Sequence, residues 1–573
     1  MNNQSPLNLN SLSLIPLLFC LLAVQGCETP EPDRIAVDLL LHSGNVLTLD
    51  DANRVASAIA VDGDRIVAVG NDELRDRYAA ATSVDLAGAT LMPGFIDTHV
   101  HIEGKPDWYI DLTKTRSIEQ MRTQLMTMSD TLKPGSWITG YGWSEDELDE
   151  GRKPTIEDLD TAAPGHPIML TRAGAHSAVF SSAAFALAGI TEQTPDPEGG
   201  TIEKRADGSL NGIVRERHDA LFADLLPPAP PAQLRASLAR ELQALFALGI
   251  TSITQATGDI QSFGQWQEVY KQHRGALPRA SVQLAYEGHS AMAASGLMTG
   301  MGDEHLQVGP IKIFADGGFT GPAAYTKEPY VGEETYRGKL NMSEHELRAL
   351  IADAHNDGWQ LGIHAIGDAA IELTVDALVN ALQATPRADH RHYLNHFTVM
   401  PSDATMQTMA EHGIAITQQP NFAYTLEGRY ATHLDGARLA HNNPMATPIK
   451  LGIHVAMSSD ILPLGPGVGI YAATTRKGMS GKVYGPEEAI SRLEALRAYT
   501  SRGAYLTRAE NTKGQLKVGM LADFIVLATD PLRMEDSALL TLTPSATYLG
   551  GVQVWPPGPT PSASGASDAS QTE

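Results

Sequence analysis

Four times between Leu234 and Asp460 a helical pattern ends at a glycine and a short apolar strand follows. Leu234, Leu238, Leu242, Leu245 and Leu248 recur at steps of three and four, and Gly249 then precedes Ile250–Gln255. Glu346–Asn356 leads through Gly358 to Leu361–His364, and Asp403–His412 through Gly413 to Ile414–Gln418. Ile449–Leu451 leads through Gly452 to His454–Asp460. A glycine just past a helix supplies the left-handed turn that sends the chain back along a strand. A succession of such units predicts an α/β chain with a parallel sheet. The favoured closure is a TIM-like (β/α)8 barrel, with a doubly wound open sheet as the alternative. No Gly-x-Gly-x-x-Gly or Walker-type phosphate loop follows a strand, which counts against a nucleotide-binding sheet.

The flanks have another texture. Residues 36–92 read as short strands (Leu39–His42, Asn45–Thr48, Ala58–Val61, Arg65–Val69), and Asp523–Leu527, Ala546–Leu549 and Val552–Trp555 repeat it near the other end. We expect 36–92 and 508–555 to pair into one composite all-β sandwich that brackets a barrel at 93–507. Between about 117 and 225 the rhythm breaks, which predicts an insertion over the barrel mouth, with Pro227–Pro231 as a stiff return. Residues 556–573 are rich in Pro, Ser and Ala and read as a disordered tail.

Leu12–Val24 is almost wholly apolar but too short to span a bilayer, as in the core of a signal peptide. It ends in Val24-Gln25-Gly26-Cys27, which resembles a bacterial lipobox. The resemblance implies a lipoprotein-type signal over 1–27, a lipid on Cys27 and a polar tether over 28–35. The protein is then expected at the cell envelope, on the outer-membrane or periplasmic side of a Gram-negative cell. Membrane contact would run only through that lipid, and the protein would be secreted if the box is not used.

Lys plus Arg is 42 and Asp plus Glu is 67, a net charge of −25. That balance argues against a nucleic-acid partner, which needs a basic face. The only cysteines are Cys20 and Cys27, so disulfide scaffolds and thiolate metal sites are excluded. A metal would have to be held by the 19 His and the carboxylates.

Side chains at the C-terminal strand ends of a barrel converge on one mouth. Phe95–His101 carries His99 and His101 at alternate positions, so both face one way. Ile311–Asp316 places Lys312 inside an apolar strand, Gly362–His364 and Tyr393–His396 end in His, and Val455–Asp460 ends in a carboxylate. Singly, each has a bland reading. A His-x-His pair occurs on exposed strands, Lys312 can reach water with its amine, His364 or His396 can be a satisfied core residue, and Asp460 can cap a helix. Taken together at successive strand ends, four imidazoles and a carboxylate suit Zn²⁺ or a similar divalent ion.

Met92–His101 resembles the opening signature of the amidohydrolase superfamily. Lys312–Gly318, His364–Asp368, Gln419-Pro420-Asn421, Ser459-Asp460, Glu494–Thr500 and Gly519–Asp523 resemble amidohydrolase family 3, the YtcJ-like branch, in order from about 36 to 555. The resemblance implies a metal-dependent hydrolase with one or two ions. His99 and His101 would bind the more buried ion, a carboxylated Lys312 would bridge, and His364 and His396 would complete the second. Asp460 would be both a ligand and the general base for a metal-activated hydroxide attacking an amide or cyclic amide. His176 matches a His lying over the active site, where it would steady the substrate carbonyl. Relatives usually carry Glu-His where this chain has Asn395-His396, so the tuning of His396 would lack a negative neighbour. A deaminase or a lactone or ester hydrolase using the same site, and a non-catalytic surface-binding lipoprotein, are the alternatives. The expected partner is a small amide-type molecule, and the oligomeric state is left open.

Overall fold

The computed structural model describes residues 34–557 apart from 146, 174–176, 198–199, 217 and 320–321. The leader, both cysteines, His176 and the tail from 558 therefore lie outside the described residues.

Eight strands form one sheet: β1 (Phe95–Val100), β2 (Ile250–Gln255), β3 (Arg279–Ala285), β4 (Leu306–Phe314), β5 (Leu361–Ala365), β6 (Tyr393–His396), β7 (Ala415–Gln418) and β8 (Val455–Met457). Every ladder is parallel and links strands consecutive in this order. The sheet curls until β1 and β8 nearly close. A lone bridge joins Val100 to Asp460, the Asp460 N–H donates to the His99 carbonyl at 2.9 Å, and the Thr98 hydroxyl donates to the Met457 carbonyl at 3.0 Å. Such strands are covered on both faces and read as continuous apolar runs, as Ile253, Val282, Ile311, Ile363 and Ile416 do in the core.

The glycine stops act as the sequence predicts. Helix Pro231–Ala244 tightens into a 3-10 turn over Leu245–Leu248 and ends at Gly249 with φ 74°. A Cβ there would also crowd Phe95 and Ile525 at 3.2 Å, so position 249 needs glycine for both its turn and its packing. Helix Asp403–His412 begins on Ser402, whose hydroxyl accepts the Thr405 N–H, and stops at Gly413 with φ 67°. The last helix before β8 is Ala446–Lys450, slightly earlier than expected.

A second sheet runs in the order Thr201–Lys204, Leu210–Arg215, Ser177–Phe180, Ile168–Arg172, Ile138–Trp143, Tyr109–Asp111. It starts before 117 because Tyr109–Asp111, too short to read as a strand, pairs in parallel with Ile138–Trp143. Two further sheets, of four and six strands, complete the fold. One holds Arg65–Gly70, Ala58–Asp62, Ile35–His42 and Tyr78–Asp85. The other joins both ends of the chain, setting Thr90–Pro93 antiparallel to Phe524–Leu527. Leu39, Ile59 and Ile66 of the first share a core with Val46, Leu91, Phe524 and Tyr548 of the second. Among the described residues no helix is long and apolar enough to cross a membrane.

Candidate metal centre

Strand alternation on β1 delivers Asp97, His99 and, just past its end, His101 to the mouth. Asp97 and His99 are fully buried, whereas the side chain of His101 keeps 30% of its exposure. Asp460 reaches them from the far edge of the sheet. Its backbone is left-handed at φ 58°, as are His396 at 77° and Phe397 at 54°. Non-glycine residues held there cost of order 1–3 kcal/mol each and persist where neighbours over-determine them. For Asp460 the neighbours are visible. Asp97 accepts the Ser459 N–H at 3.0 Å and its hydroxyl at 2.5 Å, and Asn421 Nδ2 donates to the carbonyls of Ser459 at 2.8 Å and Leu462 at 2.7 Å.

The carboxylate so placed faces three imidazoles. Its Oδ2 lies 3.8 Å from His99 Nε2 and 4.0 Å from His396 Nδ1, and its Oδ1 lies 3.7 Å from His101 Nε2. These gaps are too long for hydrogen bonds. His99 Nε2 and Lys312 Nζ are buried without any hydrogen-bond partner. Among the described residues, His99, His396 and Asp460 offer one ligand atom each within 4.8 Å of one another. Two atoms that each lie ~2.0–2.2 Å from one ion can be at most ~4.4 Å apart, and the separations to His99 and His101 meet that limit. The donor set, nitrogen and carboxylate oxygen, therefore fits a divalent ion.

Neutral groups hold the Nδ1 atom of each of the three rings, including the His396 Nδ1 that lies 4.0 Å from Asp460. His99 Nδ1 pairs with Asn395 Oδ1 at 2.7 Å, His396 Nδ1 with Gln419 Oε1 at 2.8 Å, and His101 Nδ1 with the Thr257 hydroxyl at 3.2 Å. His364 packs its ring 4.5 Å from that of His396 but turns Nε2 to the Gly317 carbonyl at 3.4 Å, with Asp316 Oδ1 at 3.6 Å. It adjoins the cluster without entering the three-ligand group.

Burial sets the charges. It pushes His101 and His364 down to about 3 and His99 and His396 well below the usual range, with the Lys312 charge adding to each. The rings are neutral at physiological pH and present lone pairs, the form in which histidine ligates metals. Burial lowers Lys312, partly offset by Asp460, and raises Asp460, partly offset by Lys312. Asp97 and Asp316 are pushed up to about 7 by burial.

The structure thus brings His99, His101, His396 and Asp460 together, with Lys312 and His364 beside them; His176 lies outside the described residues. It corrects one expectation. Asn395 supports His99 rather than its neighbour His396, because consecutive strand residues point apart. Asp97, Thr257 and Gln419 carry roles the sequence did not assign. Asp97 alone had a usable signal: a carboxylate two residues before His99, on the same strand face.

A model of the amidohydrolase family matches residues 82–555. The chain is 28% identical over 530 residues to the Bacillus subtilis protein YtcJ, whose name places it among the amidohydrolases, covering 90% of this chain and 98% of that one. It is 29% identical over 546 residues to an N-substituted formamide deformylase of Arthrobacter pascens, with the same coverage. In structure it is similar to an uncharacterized metal-dependent hydrolase of Pyrococcus horikoshii, with a TM-score of 0.69 at 22% identity over 87% of this chain and 99% of that one.

Proposed function

This chain belongs to the amidohydrolase family, and from that premise we propose that it is a metal-dependent hydrolase cleaving a carbon–nitrogen bond in an amide or cyclic amide. The observation that carries the reading is the buried, unpartnered Nε2 of His99 facing the Asp460 carboxylate. Similarity to an N-substituted formamide deformylase along nearly the whole chain supports the bond type.

His99, His101 and Asp460 would hold the first ion, His364 and His396 would hold a second, and a carboxylated Lys312 would serve both. When bound, zinc or a similar ion supplies Lewis-acid polarisation of a carbonyl and lowers the pKa of water. Asp460 takes the proton of the attacking water on a carboxylate oxygen and passes it to the departing nitrogen, which leaves as a neutral amine. Asp97 and Asn421 keep that carboxylate aimed by fixing the backbone of Ser459. The buried Lys312 amine, once deprotonated, is suited to react with CO₂, forming an N–C bond and releasing a proton to give a bridging carbamate. A cavity of about 1990 Å³ opens above His101 and Asp460, walled by Tyr109, Thr139 and Tyr141 on one side and Leu426 and Met479 on the other. It is roomy for one small molecule, whose usual pockets are ~300–1,000 Å³. His176 would act over the substrate.

The split sandwich, supported by the pairing of Thr90–Pro93 with Phe524–Leu527, belongs to the same reading, as do the lipid on Cys27 and the envelope location, which rest on the sequence alone.

The test is a panel of N-substituted formamides, linear and cyclic amides, lactones and esters, scored for amine, ammonia and acid. Release of amine with acid is expected, and Asp460→Asn should slow it by about 10²–10⁴-fold while the fold is kept. Turnover of esters alone, or an Asp460→Asn variant as fast as the wild type, contradicts the reading.

A further inference from the structure

We propose that Asn395 is the positioning residue that fixes His99 as a metal ligand, and that it does so without charge, leaving the ion readily exchangeable. The inference rests on reading the mouth as a metal centre. Asn395 and His99 are both fully buried, and Asn395 Oδ1 lies 2.7 Å from His99 Nδ1. An amide oxygen only accepts, so the imidazole proton sits on Nδ1 and the lone pair on Nε2. Nε2 is the atom that faces Asp460 with no partner of its own.

The neighbouring rings show what is special here. Gln419 holds His396 through Oε1, and its other end is anchored because Nε2 donates to the Thr417 carbonyl at 3.4 Å, which can only accept, as well as to the Ser458 hydroxyl at 2.7 Å. That amide cannot turn round. Asn395 Nδ2, in contrast, is buried with no acceptor, so His99 alone fixes the amide's orientation. Turning it over would set an N–H against His99 Nδ1 and move the ring proton to Nε2, which blocks ligation. A carboxylate at 395 would have no wrong orientation and would add a negative charge behind the ligand. Among the described residues, no acid other than the facing Asp460 is free to supply that charge. Asp97 is taken up by Ser459, and Asp316 by the N–H groups of Ile366, Gly367 and Tyr325. Outer partners of metal-bound histidines typically change affinity by about 10–100-fold.

Asn395→Asp alters the charge at nearly constant shape and is the decisive variant. Zinc affinity is read by competition with a chromophoric chelator. The His99 tautomer is read from ¹⁵N shifts of the metal-free protein, assigned against His99→Gln. The wild type is expected to carry the proton on Nδ1, and Asn395→Asp to bind zinc about 10–100-fold more tightly with slower release. Asn395→Leu should bind more weakly and lose the single tautomer; if it fails to fold, the Asp variant and the wild-type tautomer decide alone. Zinc affinity unchanged in Asn395→Asp, or a proton on Nε2 in the wild type, overturns the proposal. A wild type that binds no zinc removes the metal-centre reading itself.

Discussion

Two sets of buried histidines lie at opposite ends of the barrel strands, and their hydrogen bonds set them apart. At the mouth, the Nε2 atoms of His99 and His101 face a carboxylate across gaps of 3.8 and 3.7 Å, and His99 Nε2 has no partner. At the other end, before β5 and β6, His355, His390 and His392 form a closed chain. His390 Nδ1 accepts the His392 N–H at 2.9 Å, and its Nε2 pairs with the His412 carbonyl at 2.8 Å. His392 Nδ1 accepts the Leu361 N–H at 3.0 Å, and its Nε2 donates to His355 Nδ1 at 2.9 Å. His355 Nε2 ends the chain on the Thr385 carbonyl at 2.8 Å. Each of these rings has one nitrogen donating and one accepting. Both sets are buried and both are driven neutral, so neither burial nor a depressed pKa marks a metal site. An unpaired lone pair aimed at a carboxylate does.

The contrast can be broken by mutation. His392→Ala strips partners from the Leu361 N–H and His355 Nδ1 and opens a cavity, at an expected cost of roughly 3–5 kcal/mol. His101→Ala in chelator-treated protein gives up only the long 3.2 Å hydrogen bond between Nδ1 and the Thr257 hydroxyl and should cost about 1 kcal/mol, although it removes a ligand. Urea unfolding of the two variants checks this, and equal costs would erase the distinction.

Acid supplies a smaller effect of known sign. His355, His390 and His392 have folded-state pKa values below the ordinary 6.5, chiefly through burial, with Arg387 contributing to all three, Arg508 to His392 and Asp389 opposing at His390. A histidine held neutral stabilises the fold fully above its unfolded pKa, and that stability is lost as pH falls below about 6.5. At pH 5 the loss reaches at most about 2 kcal/mol per ring, from ~1.4 kcal/mol per pH unit. His392→Asn should therefore flatten the fall in stability between pH 7 and pH 5 relative to the wild type. Parallel curves would show that the chain of rings is not what acid attacks.

What the sequence made legible follows from period and spacing. The Gly249 and Gly413 stops marked where helices hand over to β2 and β7, and alternation put His99 and His101 on one face. Geometry set by distant segments was not legible. Asn395 and His99 are 296 residues apart, and their pairing depends on barrel curvature. The left-handed turn of Asp460 likewise depends on Asp97 and Asn421 gripping Ser459, a grip no local pattern encodes. Tyr109–Asp111 is too short for period-2 alternation to stand out, and only its partner strand makes it a strand.

The most direct test of the central claim, that the mouth set binds metal and the far set does not, is the metal content of purified protein. Mass spectrometry should find at least about one zinc-class ion per chain in the wild type and in His392→Asn, and under about 0.1 in a His99→Ala/His396→Ala variant. Equal metal in all three, or its loss from His392→Asn instead, would contradict the account.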